Sequence, residues 1–282
     1  MPTRLAAFLL AALGLLPSIA HAACEDNLAE ARRAWERRDA DKALELVGKA
    51  VAADPKDARA HLLRGTIHEA LSRHLEAVAD FNRCLQLDPT CAEAFDRRGS
   101  EQFKLGRVAE SLADFDRYLK LRPGAAPGHW KRGISLYYLG RYGDGRQQFE
   151  GYEKVDTNDV ENAVWHFLCV ARKEGLAKAR ASLLKIGRDT RVPMMQVYDL
   201  YRGALKPADV LAAAEAGDVP APQRRQRLFY AHLYLGLYYD ATGDGKQALE
   251  HISQAAGKYR IGHYMGDVAA VHEVLLRKAR TP

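Results

Sequence analysis

Two pairs of side chains in this 282-residue sequence set a base near a nucleophile: His166 with Cys169, and His251 with Ser253. On a helix, residues three apart share a face, so His166 and Cys169 would meet; acyl-transfer chemistry uses such a pair as base and nucleophile. Their neighbours Ala163, Trp165, Phe167, Leu168 and Val170 are apolar, however, which is the setting of a packed core face rather than of an activated thiol. No G-x-S-x-G elbow accompanies either pair. Of His61, His68 and His74, only the first two share a face, and they stand two turns apart, too far for a compact metal site. Cys24, Cys84, Cys91 and Cys169 form neither a C-x-x-C nor a zinc-type Cys/His spacing. No H-E-x-x-H, phosphate-loop or dinucleotide fingerprint occurs. The sequence therefore points to no catalytic residue, no cofactor and no metal, and an enzyme built on the His166/Cys169 region stays as the alternative reading.

The elements that must hold these residues are helices, and they repeat. Pro55, Pro89 and Pro123 lie 34 residues apart, each ending an apolar helix pattern where a missing amide donor stops the ladder. Ala31, Gly65, Gly99 and Gly133 keep the same phase, as do Ala43, Ala77, Ser111 and Gly145, and the large apolar series Val47, Phe81, Phe115 and Phe149. Gly106 and Gly140 fall at the turn between paired helices, where a left-handed backbone suits glycine. The period and the small-large pattern resemble the tetratricopeptide repeat (TPR), which implies an all-α solenoid of antiparallel helix pairs. The units expected are 24–57, 58–91, 92–125 and 126–159, with a further unit at 229–262 carrying Gly236, Tyr239, Gly243, Ala248, Ile252 and Ala255. Residues 160–228 keep helical periodicity without the signature and are read as degenerate repeats, with helices expected over Val160–Gly175, Leu176–Ile186, Met194–Tyr201 and Pro207–Ala216. A capping helix is expected over 264–279, with Val268, Val271, Leu275 and Leu276 as its apolar stripe, in a tail reaching 282.

Residues 1–22 read as an export signal: Arg4, an apolar run from Leu5 to Leu16, Pro17, and an Ala20-His21-Ala22 cleavage site. The apolar run is too short to span a bilayer, and no later stretch approaches that length. Cys24 follows closely, so lipid attachment there competes with simple secretion; His21 stands where a lipoprotein signal has an aliphatic residue and favours secretion. The formal charge of +6 is spread among acids, with Arg224-Arg225-Gln226-Arg227 the densest cluster, read as a loop or helix start. Nucleic acid is not an expected partner.

The segments Trp130–Arg141 and Tyr234–Tyr239 lie in regular units bracketing irregular helices, a layout that resembles the NlpI-type TPR lipoproteins of the bacterial envelope. The resemblance implies a periplasmic adaptor that dimerises and brings a protease together with cell-wall hydrolases. In TPR geometry, first helices line the inner face, and their second, fifth, ninth and twelfth positions point to a ligand. The residues expected to meet a partner protein or peptide are Arg32, Trp35, Arg59, Glu69, Asp96, Ser100, Phe103, Trp130 and Tyr137, the aromatic ones as anchors. The Lys/Asn pattern that clamps a chaperone's terminal carboxylate is not reproduced at Leu28, Arg32, Leu62 and Thr66. Self-assembly as the main role is a third reading, since unpaired solenoid ends often bury against a twin.

Overall fold

The computed structural model describes residues 19–280; the expected signal segment up to Ser18 lies outside the described residues. Among the described residues the secondary structure is helical, with no strand. The helices are α1 (Ile19–Glu36), α2 (Ala40–Ala53), α3 (Ala58–Ala70), α4 (His74–Leu87), α5 (Ala92–Lys104), α6 (Val108–Leu121), α7 (Trp130–Tyr138), α8 (Tyr142–Tyr152), α9 (Val160–Glu174), α10 (Leu176–Ala181), α11 (Met194–Tyr201), α12 (Pro207–Glu215), α13 (Ala221–Thr242), α14 (Gly245–Ala256) and α15 (Tyr264–Lys278). A single 3-10 turn, Pro123–Ala125, precedes α7. The chain divides into two compact units, Met1–Arg98 and Gly99–Pro282.

One packing rule recurs in both units. A large apolar side chain on the second helix of a pair presses on the first helix at the residue sixteen positions earlier. A Cβ added at Gly65 would stand 2.7 Å from the Phe81 ring, at Gly99 2.8 Å from Phe115, at Gly133 2.6 Å from Phe149, and at Gly236 2.5 Å from Ile252. Those distances are shorter than carbon atoms tolerate, so glycine is what lets the helices close. In the first hairpin the same two places hold Ala31 and Val47, both fully buried: a methyl group fits where the opposing side chain is smaller.

The turn between paired helices repeats with equal regularity. Residues 38, 72, 106 and 140 all have positive φ, at 62°, 57°, 74° and 71°, but only the last two are glycines; Arg38 and Ser72 hold the first two. Second helices end where Asp54 and Asp88 take extended backbone, and Arg122 likewise leaves the helical region, before each proline, whose ring disfavours helix at its predecessor.

Within the second unit, α9 is buried along nearly its whole length, from Val160 to Val170 except Glu161. It ends at Gly175, whose φ of 89° only glycine adopts readily. The helix expected over Leu176–Ile186 stops at Ala181. Leu183 and Ile186 pack on the core from an irregular strap instead. The strap is tied to the start of α9: the Gly187 amide donates to Thr157 O at 3.2 Å, the Arg188 amide to the Asn158 carbonyl at 2.9 Å, and the Val160 amide to Asp189 at 3.3 Å. Apolar spacing alone does not reveal such tertiary hydrogen bonds. Helix α13 starts at Ala221, eight residues before the expected unit at 229, and its basic first turns have a structural use. Arg224 and Arg227 donate to Gly217 O and Ala216 O, both at 3.0 Å, satisfying carbonyls past the end of α12.

Candidate functional site

The nucleophile-base pairs are engaged elsewhere. Cys169 is fully buried, its sulfur against Gly145, where an added Cβ would stand 2.9 Å away. Burial pushes its thiol well above the ordinary range, which suppresses the thiolate a nucleophile needs. His166 faces Glu150 at 3.4 Å, and burial lowers its pKa against that carboxylate's pull. Ser253 donates to Glu273 at 2.8 Å, while His251 pairs with His232 through Nδ1 atoms 3.0 Å apart. Neither pair has the geometry of an activated nucleophile. Among the described residues no group of three or more His, Cys, Asp or Glu side chains is placed to hold a metal ion.

His61 and His68 do converge, although on a carboxylate: Asp80 of α4, 4% exposed, lies 3.4 Å from His61 Nδ1 and 3.8 Å from His68 Nε2. Arg64 grips both Asp80 oxygens at 2.6 to 3.1 Å. Burial acts to raise the Asp80 pKa, but hydrogen bonds from His61 and Arg64 outweigh it and hold the group below its usual value. Arg64 and His61 of the first helix thus hold one buried acid of the second helix, with His68 beside them, and this polar cluster fastens the α3–α4 hairpin.

The expected inner-face residues divide by unit. In the first unit they lie on α1, α3 and the start of α5. Arg32 is exposed and Trp35 half-buried. Arg59 is exposed and pairs with Glu25 of α1 and, at 2.6 Å, with Asp57. Glu69 pairs with Arg97 at 2.7 Å, and Asp96 is half-buried. Cross-helix pairs thus run along neighbouring first helices, leaving a charged, accessible surface with Trp35 as its aromatic component.

In the second unit the expected anchors are covered, which corrects the reading for three of them. Ser100, Phe103 and Tyr137 are 4%, 0% and 5% exposed. Lys131 donates to the Ser100 hydroxyl at 3.1 Å. Phe103 stacks on Tyr264 at 5.3 Å between centroids, and Trp130, half-buried, meets the same ring edge-on at 5.2 Å. Tyr137 packs edge-on against Trp165 at 5.4 Å. The cover comes from α15 over Phe103 and from α9 over Tyr137; beyond Tyr264, His272 of α15 lies 3.1 Å from the Tyr138 hydroxyl and 3.5 Å from Asp240. The expected stripe of α15 is also revised, because His272 is buried with Val268 and Val271 while Leu275 is 41% exposed. The chain's last helix occupies the place that the repeat pattern assigns to a ligand, and only its aromatic first residue and central histidine hinted at this.

A second polar assembly joins the strap to α9 and α13. Arg191 contacts Asp159 at 2.8 Å, Glu161 at 2.5 Å and Asp189 at 2.6 Å, and its guanidinium lies 5.8 Å from the Tyr230 ring centroid. Tyr234 donates to Glu161 at 2.5 Å. None of these residues belongs to a repeat signature, so periodicity carried no signal for them.

Helix hairpins closed by a small residue facing a large one, at a 34-residue period, define an all-α repeat protein of the interaction-scaffold class. The chain carries tetratricopeptide repeats: the family model for the tetratricopeptide repeat matches residues 28–90 and 97–161. Solved structures share the fold. A tetratricopeptide repeat protein from Parabacteroides merdae is 16% identical, with 91% of this chain and 99% of that one covered and a TM-score of 0.58. YrrB, described as a TPR protein with an unusual peptide-binding site, is 18% identical over 70% of this chain and 98% of its own, with a TM-score of 0.54. MamA is 17% identical over 70% and 98%, with a TM-score of 0.53. No curated protein matches the sequence.

Proposed function

We propose that the protein is a non-catalytic scaffold that holds segments of other proteins on the first-helix face of its first unit. The observation that carries this reading is the contrast between units: α15 fills the corresponding place in the second unit, while Arg32, Trp35, Arg59 and Asp96 remain at least partly accessible in the first. A surface of paired charges with one half-buried indole suits an extended or helical segment that offers an apolar anchor flanked by charges. That YrrB, of the same fold, has a peptide-binding site supports a peptide-holding role.

The scaffold acts outside the cytoplasm on this reading, as the N-terminal sequence pattern and the resemblance to envelope adaptors suggest; a processing protease and cell-wall hydrolases are the partners to try first. Cys24 is fully buried, its thiol 3.6 Å from Asp57, and is pushed up to about 11 by burial and that carboxylate. A lipid on this sulfur would have to leave the α1–α3 core, which favours secretion without lipid attachment. No helix among the described residues is long and apolar enough to cross a membrane.

The test is capture with the full chain after mild cross-linking, compared with Trp35→Ala and Arg32→Glu. Each variant is expected to lose roughly tenfold or more in affinity for the recovered partner while keeping its helical signal, the scale of an interface anchor. Undiminished capture by both variants would refute the proposed face.

A further inference from the structure

Within the second unit, a cavity of about 290 Å³ opens among α7, α9, α13 and the turn entering α15. Its walls include the rings of Trp130, Trp165, Tyr230 and Tyr264, and Asp159 and Glu161 contribute carboxylates. Small-molecule pockets commonly run to about 300–1,000 Å³, so this space suits one side chain better than a cofactor.

Two buried polar atoms in its lining have no hydrogen-bond partner: Asn162 Oδ1 and Trp165 Nε1. Their residues are 4% and 2% exposed. The Asn162 amide nitrogen is committed to Phe149 O at 3.0 Å, which fixes the amide and leaves its oxygen as an acceptor. Native structures rarely leave such atoms unmet. Both atoms are closed off from the cavity itself, so the lining presents aromatic faces and carboxylates to a ligand.

Charge narrows the class further. Asp159, Glu161 and Asp189 gather on the single guanidinium of Arg191, leaving carboxylates in excess of cations. Burial raises the pKa values of Asp159 and Glu161 although Arg191 opposes it, which is the behaviour of under-compensated acids. An anion would be repelled here, and an apolar group would leave the excess charge unanswered. A cation meets two demands at once: aromatic faces attract it and carboxylates neutralise it.

We propose that this cavity binds a cationic side chain, lysine or arginine, presented by a protein partner, with Asp159 and Glu161 as counter-charges and the aromatic rings as walls. This site goes beyond the first-unit face, because every residue that forms it lies in the second unit.

The test uses the full chain labelled with nitrogen-15, titrated with Nα-acetyl-lysine amide, Nα-acetyl-arginine amide and the uncharged Nα-acetyl-norleucine amide. The readout is the indole Nε1–H signal of Trp165, assigned with Trp165→Phe. At least one cationic probe is expected to shift that signal saturably, with a dissociation constant on the order of millimolar. Norleucine amide is expected to bind about tenfold more weakly or not at all. Glu161→Gln and Trp130→Ala should each weaken the cationic response about tenfold; Trp130 carries no charge and is not one of Arg191's ion-pair partners, so its variant keeps the test valid if Glu161→Gln unfolds. A response to one cation alone supports the site and names its preference. No shift with either cation, or an equal shift with norleucine amide, overturns the proposal. That result together with intact partner capture by the first unit would leave the scaffold reading standing.

Discussion

The left-handed turn position common to four hairpins allows a reciprocal substitution experiment. Ser72 has φ 57°, while Gly106 fills the equivalent place one period later at φ 74°. A residue with a Cβ pays about 1–2 kcal/mol to sit there. Glycine avoids that cost but gives back roughly 0.5–1 kcal/mol in unfolded-chain freedom. The difference predicts that Ser72→Gly stabilises its hairpin by about 0.5–1 kcal/mol and that Gly106→Ser destabilises by a similar amount. Both positions are solvent-exposed, and a Cβ at Gly106 would meet no atom within 4 Å, so packing does not confuse the comparison. Urea unfolding followed by circular dichroism, with hydrogen exchange in α3–α4 and α5–α6 to locate the change, measures both. A destabilised Ser72→Gly, or a neutral Gly106→Ser, would refute the claim that these turns share one conformational demand.

Other perturbations follow from the buried contacts. Phe149→Ala removes the 1% exposed ring that closes on Gly133 and should cost about 3–5 kcal/mol, read as a lowered urea midpoint. Arg191→Ala leaves Asp159, Glu161 and Asp189 without their cation and should cost about 3–5 kcal/mol at neutral pH, with a smaller loss in acid where these groups protonate. His272 is held down to about 4 by burial, with Arg172 acting the same way and Asp240 opposing. The unfolded chain therefore takes up a proton near the ordinary histidine value of 6.5 that the folded chain refuses. Stability is full above that value and falls as pH drops toward 4, by up to about 3 kcal/mol. His272→Gln should flatten this slope in thermal unfolding between pH 7 and 5.

Regular packing was legible in the sequence because one residue type does one job at each place. Glycine facing phenylalanine sixteen residues on, and proline at helix ends, report backbone proximity and hydrogen-bond loss directly. The pairing of Ala31 with Val47 obeys the same volume rule in a less conspicuous form. What the repeat could not convey was occupancy. Phe103 and Tyr137 hold the positions of ligand anchors, yet Tyr264 covers Phe103 and Trp165 packs on Tyr137, because α15 and α9 supply the apolar partners that an incoming peptide would otherwise bring. Leu183 and Ile186 continue a helical pattern, but hydrogen bonds from the Gly187 and Arg188 amides to Thr157 O and Asn158 Oδ1 draw the strap out of helix. The Arg191 cluster depends on residues between 159 and 234 meeting in space, and the cavity beside it brings Trp130 and Phe149 of a regular unit against Tyr230 and Tyr264, a meeting that the repeat period does not mark.

The most direct test of the scaffold reading is site-specific photo-cross-linking from the first unit, with the reactive group placed in turn at Arg32, Trp35, Lys49 and Glu76. The last two are exposed positions on the second helices α2 and α4. The account predicts that a partner protein is captured from positions 32 and 35 and not from 49 or 76. Equal capture from all four, or capture from the second-helix positions alone, would contradict it.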